Sequence, residues 1–311
     1  MSDVCDDLLV MYPPVGLQRA SRLAQLALRA RLTVALDSEV AAADLSRAAV
    51  KAGSTVRVLV EIDAGMHRVG VQTPAEAAAL GRRVAALPKL EVAGIAFYPG
   101  HIRGPVGEHA AQVNALSALV ADVKATFAQQ GLPTTVVSAG STPTFWSAHE
   151  VAGLNEIRPG TYIFNDRTTS AIGACAADDC ALTVQATVVS TAVPGQAVID
   201  AGAKALGREP MRGASDDGFG CLLDDVGVVV KSMSEEHGIL DLSRSSRTLR
   251  VGERVRVVPN HVCIVVHLAD VVYGVRHDAV VSSWPVAARG RGQPALADPS
   301  EPGLLRTGLG R

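Results

Sequence analysis

The segment VEIDAGMHRVGV, residues 60–71, gives the clearest indication of the fold. It follows VRVL at 56–59, so a strongly apolar strand ends in a turn that holds acidic, glycine and basic residues. In a barrel of parallel strands, side chains that leave a strand at its carboxyl end face the bound ligand. The segment therefore predicts a strand at 56–62 whose carboxyl end carries functional side chains.

The first 165 residues repeat this pattern, because short apolar runs alternate with Ala- and Leu-rich stretches of helical period. The pattern is typical of β/α units. The predicted strands are 8–12, 32–36, 56–62, 92–98, 135–138 and 162–164. The predicted helices are 17–29, 38–52, 74–87, 107–130 and about 144–151. Because a (β/α)8 barrel has eight strands, we expect an α/β barrel that is incomplete at its N-terminal side.

After residue 166 the sequence changes to Val- and Thr-rich segments that are separated by Gly, Pro and Asp. These segments predict an all-β domain with strands at 181–193, 195–201, 226–232, 253–258, 262–274 and 278–284. We therefore expect the barrel at 1–170 and the β domain at 171–290. The stretch 291–311 is rich in Gly, Pro and Arg and is expected to be a disordered tail.

Composition excludes several classes of partner. The chain has 29 Lys+Arg and 31 Asp+Glu, with no basic run, so neither nucleic acid nor an anionic membrane surface is an expected partner. The N-terminus is acidic and has no long apolar run, which predicts a cytoplasmic protein without a signal peptide. Its five cysteines contain no CxxC pair, which disfavours a disulfide framework.

The segment VPNHVCIVVHLAD, residues 258–270, contains the candidate metal ligands. In the predicted strand, His261 and Cys263 are two residues apart, so both side chains project from one face. An imidazole and a thiolate together favour zinc, and two protein ligands leave positions open for substrate or water. Mn²⁺ is the alternative ion. His267 lies on the same predicted face and is taken as structural or as an outside candidate for a third ligand.

Three further segments complete a recognisable series: GIAFYPGHIRG at 94–104, SAGSTPT at 138–144 and EIRPGTYIF at 156–164. Together with 60–71 and the β-domain segments, they resemble, in order, the alanine racemase-like enzymes of D-threonine aldolase and D-serine dehydratase type. The resemblance covers nearly all of residues 7–290. It implies an alanine racemase-like barrel with a C-terminal β domain.

The resemblance also implies roles for individual residues. These enzymes use pyridoxal phosphate (PLP), and Arg68 would lie beside its phenolic oxygen. Tyr98 and His101 would face the cofactor pocket, with His101 as a candidate catalytic residue. The implied phosphate ligands are Ser141, Thr142, Gly160 and Thr161, with Tyr162 nearby, and Arg158 would point toward the pyridine nitrogen. His261 and Cys263 match the His-x-Cys pair of the D-serine dehydratases, whereas the aldolases more often have His-x-Asp.

The implied function is a PLP- and metal-dependent lyase for D-β-hydroxy amino acids, with a small D-amino acid as substrate and a homodimeric assembly. Dehydratase and aldolase chemistry both remain open. A racemase is disfavoured, because no segment resembles the second catalytic tyrosine of the racemases.

The lysine that forms a Schiff base with PLP in such enzymes has no counterpart here. It lies in a segment resembling R-P-H-x-K, which this sequence lacks. The chain's lysines are Lys51, Lys89, Lys124, Lys204 and Lys231. Lys204 belongs to DAGAKAL, a segment that intact relatives have in addition. We therefore expect that about two barrel strands and the lysine are missing, and that the 311-residue chain has little lyase activity. The alternative is a remnant that binds PLP or phosphate without turnover.

Overall fold

The computed structural model describes residues 3–211 and 218–290. These residues divide into two compact units. The first contains the chain up to Ile163 and the segment Thr169–Ala176, and the second contains Phe164–Thr168 and the chain from Ala177 onward. The predicted tail, 291–311, lies outside the described residues. None of the described helices is long and apolar enough to cross a membrane.

The first unit is built on a parallel sheet of six strands in sequential order. The strands are β1 Asp7–Val10, β2 Arg31–Leu36, β3 Val56–Ile62, β4 Leu90–Phe97, β5 Val136–Ala139 and β6 Glu156–Ile157. Because all six are parallel, their carboxyl ends lie along one edge of the sheet. This arrangement, with the separate β domain, confirms the predicted fold class.

Helices cover the outer face of this sheet. They are α1 Leu17–Leu26, α2 Glu39–Ala52, α3 Pro74–Ala86 and α4 Ala110–Gln129. Local sequence fixes two helix starts: the Ser38 side chain accepts a bond from the backbone of α2, and Thr73 and Glu76 form a capping box for α3. Small alanines on the helices pack against Val and Ile side chains of the strands, and this cluster forms the main hydrophobic core.

A second, smaller hydrophobic cluster lies on the inner face of the sheet. Ala35, Leu59 and Ala96 are fully buried there, with Leu9 and Met11 packed against them. Gly94 adopts φ 149° at an irregularity in the pairing of β3 with β4, and a Cβ atom there would lie 1.9 Å from the carbonyl oxygen of Val136. Only glycine allows β4 and β5, the strands of Gly94 and Val136, to approach so closely.

The second unit contains a closed antiparallel barrel of the strand order β10-β11-β8-β7-β12-β9. Its strands are β7 Val184–Ser190, β8 Gln196–Ile199, β9 Gly220–Leu222, β10 Val229–Met233, β11 Gly238–Asp241 and β12 Arg254–Pro259. A hairpin follows, β13 Val271–Arg276 with β14 Ala279–Pro285. The short helices α5 Arg167–Ala171, α6 Ala203–Leu206 and α7 Val262–Leu268 complete the structure.

Three predicted elements are wrong. The strand predicted at 162–164 is a 3₁₀ helix, Thr161–Ile163, and the helix predicted at 144–151 shortens to a 3₁₀ turn, Ala148–Glu150. The strand predicted at 262–274 begins instead as α7, because Val262 and Val265, three residues apart, pack together on Leu182. The short strands β6, β9 and β11 were missed, since two to four residues are too few for a periodic signal.

Candidate functional site

The candidate cofactor residues follow the carboxyl ends of four neighbouring strands. Arg68 follows β3, Tyr98 follows β4, Ser141 follows β5 and Arg158 follows β6. Since these strands pair consecutively in the sheet, the four loops lie side by side on one edge. The fold therefore assembles these residues, as expected for the ligand-binding edge of such a sheet.

The turn after β3 is fixed by the Asp63 carboxylate. It accepts the backbone N–H groups of Gly65 at 2.9 Å and His67 at 3.0 Å. Burial raises the pKa of Asp63, but these bonds outweigh it and lower that pKa to about 2. Gly70 closes the turn, since a Cβ atom there would lie 2.4 Å from the Asp63 nitrogen. The turn is therefore held rigid around Arg68 by backbone contacts.

Arg68 and Tyr98 are in direct contact. The guanidinium carbon lies 4.9 Å from the centre of the tyrosine ring, a cation–π arrangement. Within residues 3–211 and 218–290, neither the guanidinium nor the Tyr98 hydroxyl makes a hydrogen bond or an ion pair. Five N–H donors and one hydroxyl are thus available to an oxygen-rich ligand.

The His101 ring packs against the turn that follows β3. A Cβ atom at Gly65 would approach two atoms of the His101 ring to 3.2 Å, so the ring packs against the glycine. Loss of water around the ring lowers the pKa of His101, although the residue remains exposed. The ring is therefore held at the rim of the edge that carries Arg68.

Three hydrogen bonds fix the position of the Arg158 guanidinium. Its Nε donates to the Ser138 hydroxyl at 2.9 Å, and one terminal nitrogen donates to the carbonyl oxygens of Phe97 at 2.8 Å and Ser138 at 3.3 Å. Burial lowers the pKa of Arg158, and nearby Glu61 opposes that shift. The other terminal nitrogen, Nη1, has no partner among the described residues. Arg158 can therefore donate hydrogen bonds from Nη1 to a ligand while its other nitrogens fix its position.

The two loops that were predicted to bind phosphate, at 138–144 and 156–164, contact each other. The backbone N–H of Tyr162 donates to the Thr142 hydroxyl at 3.2 Å, and the Ser141 and Thr144 hydroxyls are 3.1 Å apart. Ser141 and Thr142 are buried, Thr161 is partly exposed, and Gly160 has open space where a Cβ atom would be. The loop after β5 thus supplies hydroxyl groups, and the loop after β6 supplies a glycine with open space beside it. Both features suit the binding of an anion.

Glu61 is a site residue that sequence reasoning missed. It is 2% exposed, its Oε2 has no hydrogen-bond partner among the described residues, and it lines a small solvent-open cleft with Arg68 and Tyr98. Burial, and then the charge of Asp37, raise the pKa of Glu61 to about 7, while Arg158 and Arg68 oppose the shift. The available signal was a lone carboxylate at an inward position of the apolar strand β3.

The predicted metal ligands lie at the start of α7 rather than on a strand. His261 is the N-cap residue of this helix in extended backbone conformation, and Cys263 lies in its first turn. A hydrogen bond to Asp166, followed by one to Cys263, raises the pKa of His261 to about 10. The His261 and Cys263 side chains therefore contact each other. The predicted strand that was expected to bring them to one face is wrong, because the two residues lie at the start of a helix. His267 lies in the last turn of α7 and is exposed.

Among the described residues, no larger ligand cluster surrounds this pair. In the part of the chain that the structure describes, no group of three or more His, Cys, Asp or Glu side chains could hold a metal ion. Two protein ligands, a nitrogen and a sulfur, suit zinc with positions left open for oxygen ligands.

Comparison with known proteins then identifies the family. The family model described as "Alanine racemase, N-terminal domain" matches residues 13–168, which is half of the chain. The chain belongs to this family. The model described as "Putative serine dehydratase domain" matches residues 181–275. The alanine racemase-like domain is thus combined with a serine dehydratase-like domain, the pairing that the sequence motifs indicated.

Individual relatives in this family are lyases. The 3-hydroxy-D-aspartate aldolase of Paracoccus denitrificans is 31% identical, over 90% of this chain and 72% of the relative. The D-threonine aldolase structure from Filomicrobium marinum has a TM-score of 0.83 and 34% identity, covering 92% of this chain and 78% of that one. The D-threo-3-hydroxyaspartate dehydratase structure from Delftia sp. HT23 has a TM-score of 0.78 and 30% identity, covering 89% and 78%. The family of this chain therefore contains PLP-dependent lyases, both aldolases and dehydratases.

Proposed function

We propose that this chain carries the cofactor and metal residues of a PLP- and metal-dependent lyase for D-configured β-hydroxy amino acids. The observation that carries the proposal is the set of unpaired donors on Arg68, Tyr98 and Arg158 at neighbouring strand ends. The relatives' names support the substrate class, because threonine and 3-hydroxyaspartate are both β-hydroxy amino acids.

The residues of the first unit suit PLP. Arg68 and the Tyr98 hydroxyl offer donors for an anionic ring oxygen, and the hydroxyls of Ser141 and Thr142, with Gly160, Thr161 and Tyr162, suit a phosphate. Arg158 keeps one free cationic edge beside them. When bound, PLP supplies an electron sink for a bond broken at the α-carbon of an amino acid. The chain's part is to hold the cofactor's charged oxygens in place.

The His261 and Cys263 pair suits a divalent metal, and zinc is favoured by the thiolate. Two structures of the Delftia dehydratase support this proposal. They contain a histidine-to-alanine mutant and a cysteine-to-alanine mutant, the latter described as metal-free, and the two mutated positions are two residues apart. A metal held by His261 and Cys263 would supply a Lewis acid.

The same His-x-Cys spacing favours a dehydratase over an aldolase, since the Delftia relative is a dehydratase. A second candidate function, binding of PLP without turnover, is favoured by the positions of the lysines. Lys51 and Lys124 lie on helices, Lys89 precedes β4, and Lys204 and Lys231 belong to the second unit. None of them follows the carboxyl end of a strand in the six-stranded sheet.

Two measurements test the proposal. PLP binding is measured by equilibrium dialysis for the wild type, for Arg68→Leu and for the control Arg82→Leu, whose arginine lies on α3 and pairs with Gln130. We expect Arg68→Leu alone to weaken binding, by about tenfold or more if one charged contact is lost. Equal binding by all three proteins would refute the cofactor site. Zinc content is compared for wild type and His261→Ala, and equal content would refute the metal site.

The products separate the candidate activities. A dehydratase releases ammonia and a keto acid from D-threo-3-hydroxyaspartate or D-serine, whereas an aldolase releases glycine and an aldehyde. We propose a small D-amino acid as the partner in either case. The expected homodimer is a prediction that sedimentation equilibrium would test, and a cytoplasmic location likewise stays a prediction.

A further inference from the structure

The carboxylate of Asp166 contacts the first of the two predicted metal ligands. Asp166 is fully buried, and its Oδ2 lies 3.3 Å from Nδ1 of His261. The same oxygen accepts the backbone N–H of Val262 at 3.2 Å. One carboxylate oxygen is thus shared between the imidazole and the first helical residue of α7.

The residues after Asp166 hold the backbone before His261. The Thr168 hydroxyl donates to the carbonyl oxygen of Asn260 at 2.7 Å, and the Arg167 guanidinium donates to its side-chain oxygen at 3.3 Å. The Asn260 amide group in turn donates to the carbonyl oxygen of Gly218 at 2.8 Å. Three consecutive residues, 166–168, therefore fix both the backbone and the ring of His261.

This contact determines which nitrogen of His261 can bind a metal. A carboxylate oxygen only accepts hydrogen bonds, so in the neutral imidazole that metal binding requires, Nδ1 carries the proton and Nε2 has the lone pair. Metal-binding histidines commonly donate their second ring N–H to a carboxylate, which fixes the tautomer and raises the basicity of the ligand. The Asp166 Oδ2 atom, which contacts both His261 and Val262, is placed to accept such a bond.

We propose that Asp166 is a positioning residue that fixes the Nδ1–H tautomer of His261, so that Nε2 and the Cys263 sulfur bind the metal. The inference rests on the proposed metal site and extends it to the residue that supports the site.

Asp166→Asn is the sharpest test, because it keeps the shape of the side chain. If the amide oxygen faces His261, the negative charge that polarises the imidazole is lost. If the amide nitrogen faces His261, it donates to Nδ1 and leaves the proton on Nε2, where the metal should bind. Both orientations weaken metal binding, and loss of such a supporting contact commonly costs about 10–100-fold in affinity.

The control is Asp278→Asn. Asp278 is exposed in the turn between β13 and β14 with φ 63°, a conformation that Asn adopts readily. Zinc affinity is measured by competition with a chromophoric chelator for the wild type, both variants and His261→Ala. We expect binding by the wild type and Asp278→Asn, binding 10–100-fold weaker by Asp166→Asn, and none by His261→Ala.

The outcomes separate the two proposals. If the wild type binds zinc, His261→Ala does not, and Asp166→Asn binds within twofold of the wild type, the role of Asp166 is overturned while the metal site stands. If the wild type binds no zinc, both are overturned. Should Asp166→Asn fail to fold, nitrogen NMR of the zinc-loaded wild type decides. We expect Nδ1 of His261 to carry the proton, and zinc on Nδ1 would overturn the inference.

Discussion

The buried carboxyl group of Glu61 predicts a measurable dependence of stability on pH. Its ordinary pKa is 4.5, and burial on the inner face of β3, with Asp37 nearby, raises the pKa to about 7. The folded protein therefore binds a proton at Glu61 more tightly than the unfolded chain does. The resulting stabilisation is fully present below about pH 4.5 and is lost as the pH rises through about 7.

The magnitude follows from the two pKa values. Because one pKa unit corresponds to about 1.4 kcal/mol, the linkage between pH 5 and pH 8 amounts to roughly 2 to 3 kcal/mol. Glu61→Gln replaces the carboxyl group by an amide that does not titrate. The stability of this variant relative to the wild type should therefore improve by roughly 2 to 3 kcal/mol between pH 5 and pH 8.

Urea unfolding at both pH values tests this expectation. The chain has two tryptophans, and Trp146 lies in the first unit while Trp284 lies in the second. A Trp284→Phe background therefore lets fluorescence report on the unit that contains Glu61. Glu91→Gln, a substitution at an exposed glutamate of β4, is the matched control. If Glu61→Gln and the wild type lose stability in parallel between pH 5 and pH 8, the reasoning is refuted.

Three further predictions concern other parts of the chain. Gly94→Ala should destabilise the first unit by about 3 kcal/mol or more, because the new Cβ atom would overlap the Val136 carbonyl; an unchanged urea midpoint would contradict this. Thr73→Ala removes the capping box of α3 and should cost about 1 kcal/mol in the same assay, whereas Thr126→Ala within α4 is the control. The 311-residue polypeptide mixed with PLP should show no lysine-dependent absorbance band, and a band abolished by Lys204→Ala would show that this lysine binds the cofactor covalently.

The sequence predicted most of the first unit, because its strands and helices have strong periodicity. The strand at 56–62 coincides with β3, and the four long helices were located to within a few residues. The order of the motifs at 60–71, 94–104 and 138–144 identified the family, since each motif follows a strand end where function restricts the residue type. The two-residue strand β6 was not predictable, because it has no period of its own.

Tertiary structure alone decided three features of the site. The contact of Arg68 with Tyr98 requires β3 and β4 to be neighbours, and the burial of Glu61 requires the sheet to curl over its inner face. The pairing of Asp166 with His261 joins residues 95 positions apart, which no local pattern encodes. Local propensity also failed at 262–268, where a β-branched run forms a helix because packing on Leu182 outweighs strand preference. Sequence thus determined which residue types stand at the strand ends, and long-range packing determined their neighbours and their charge states.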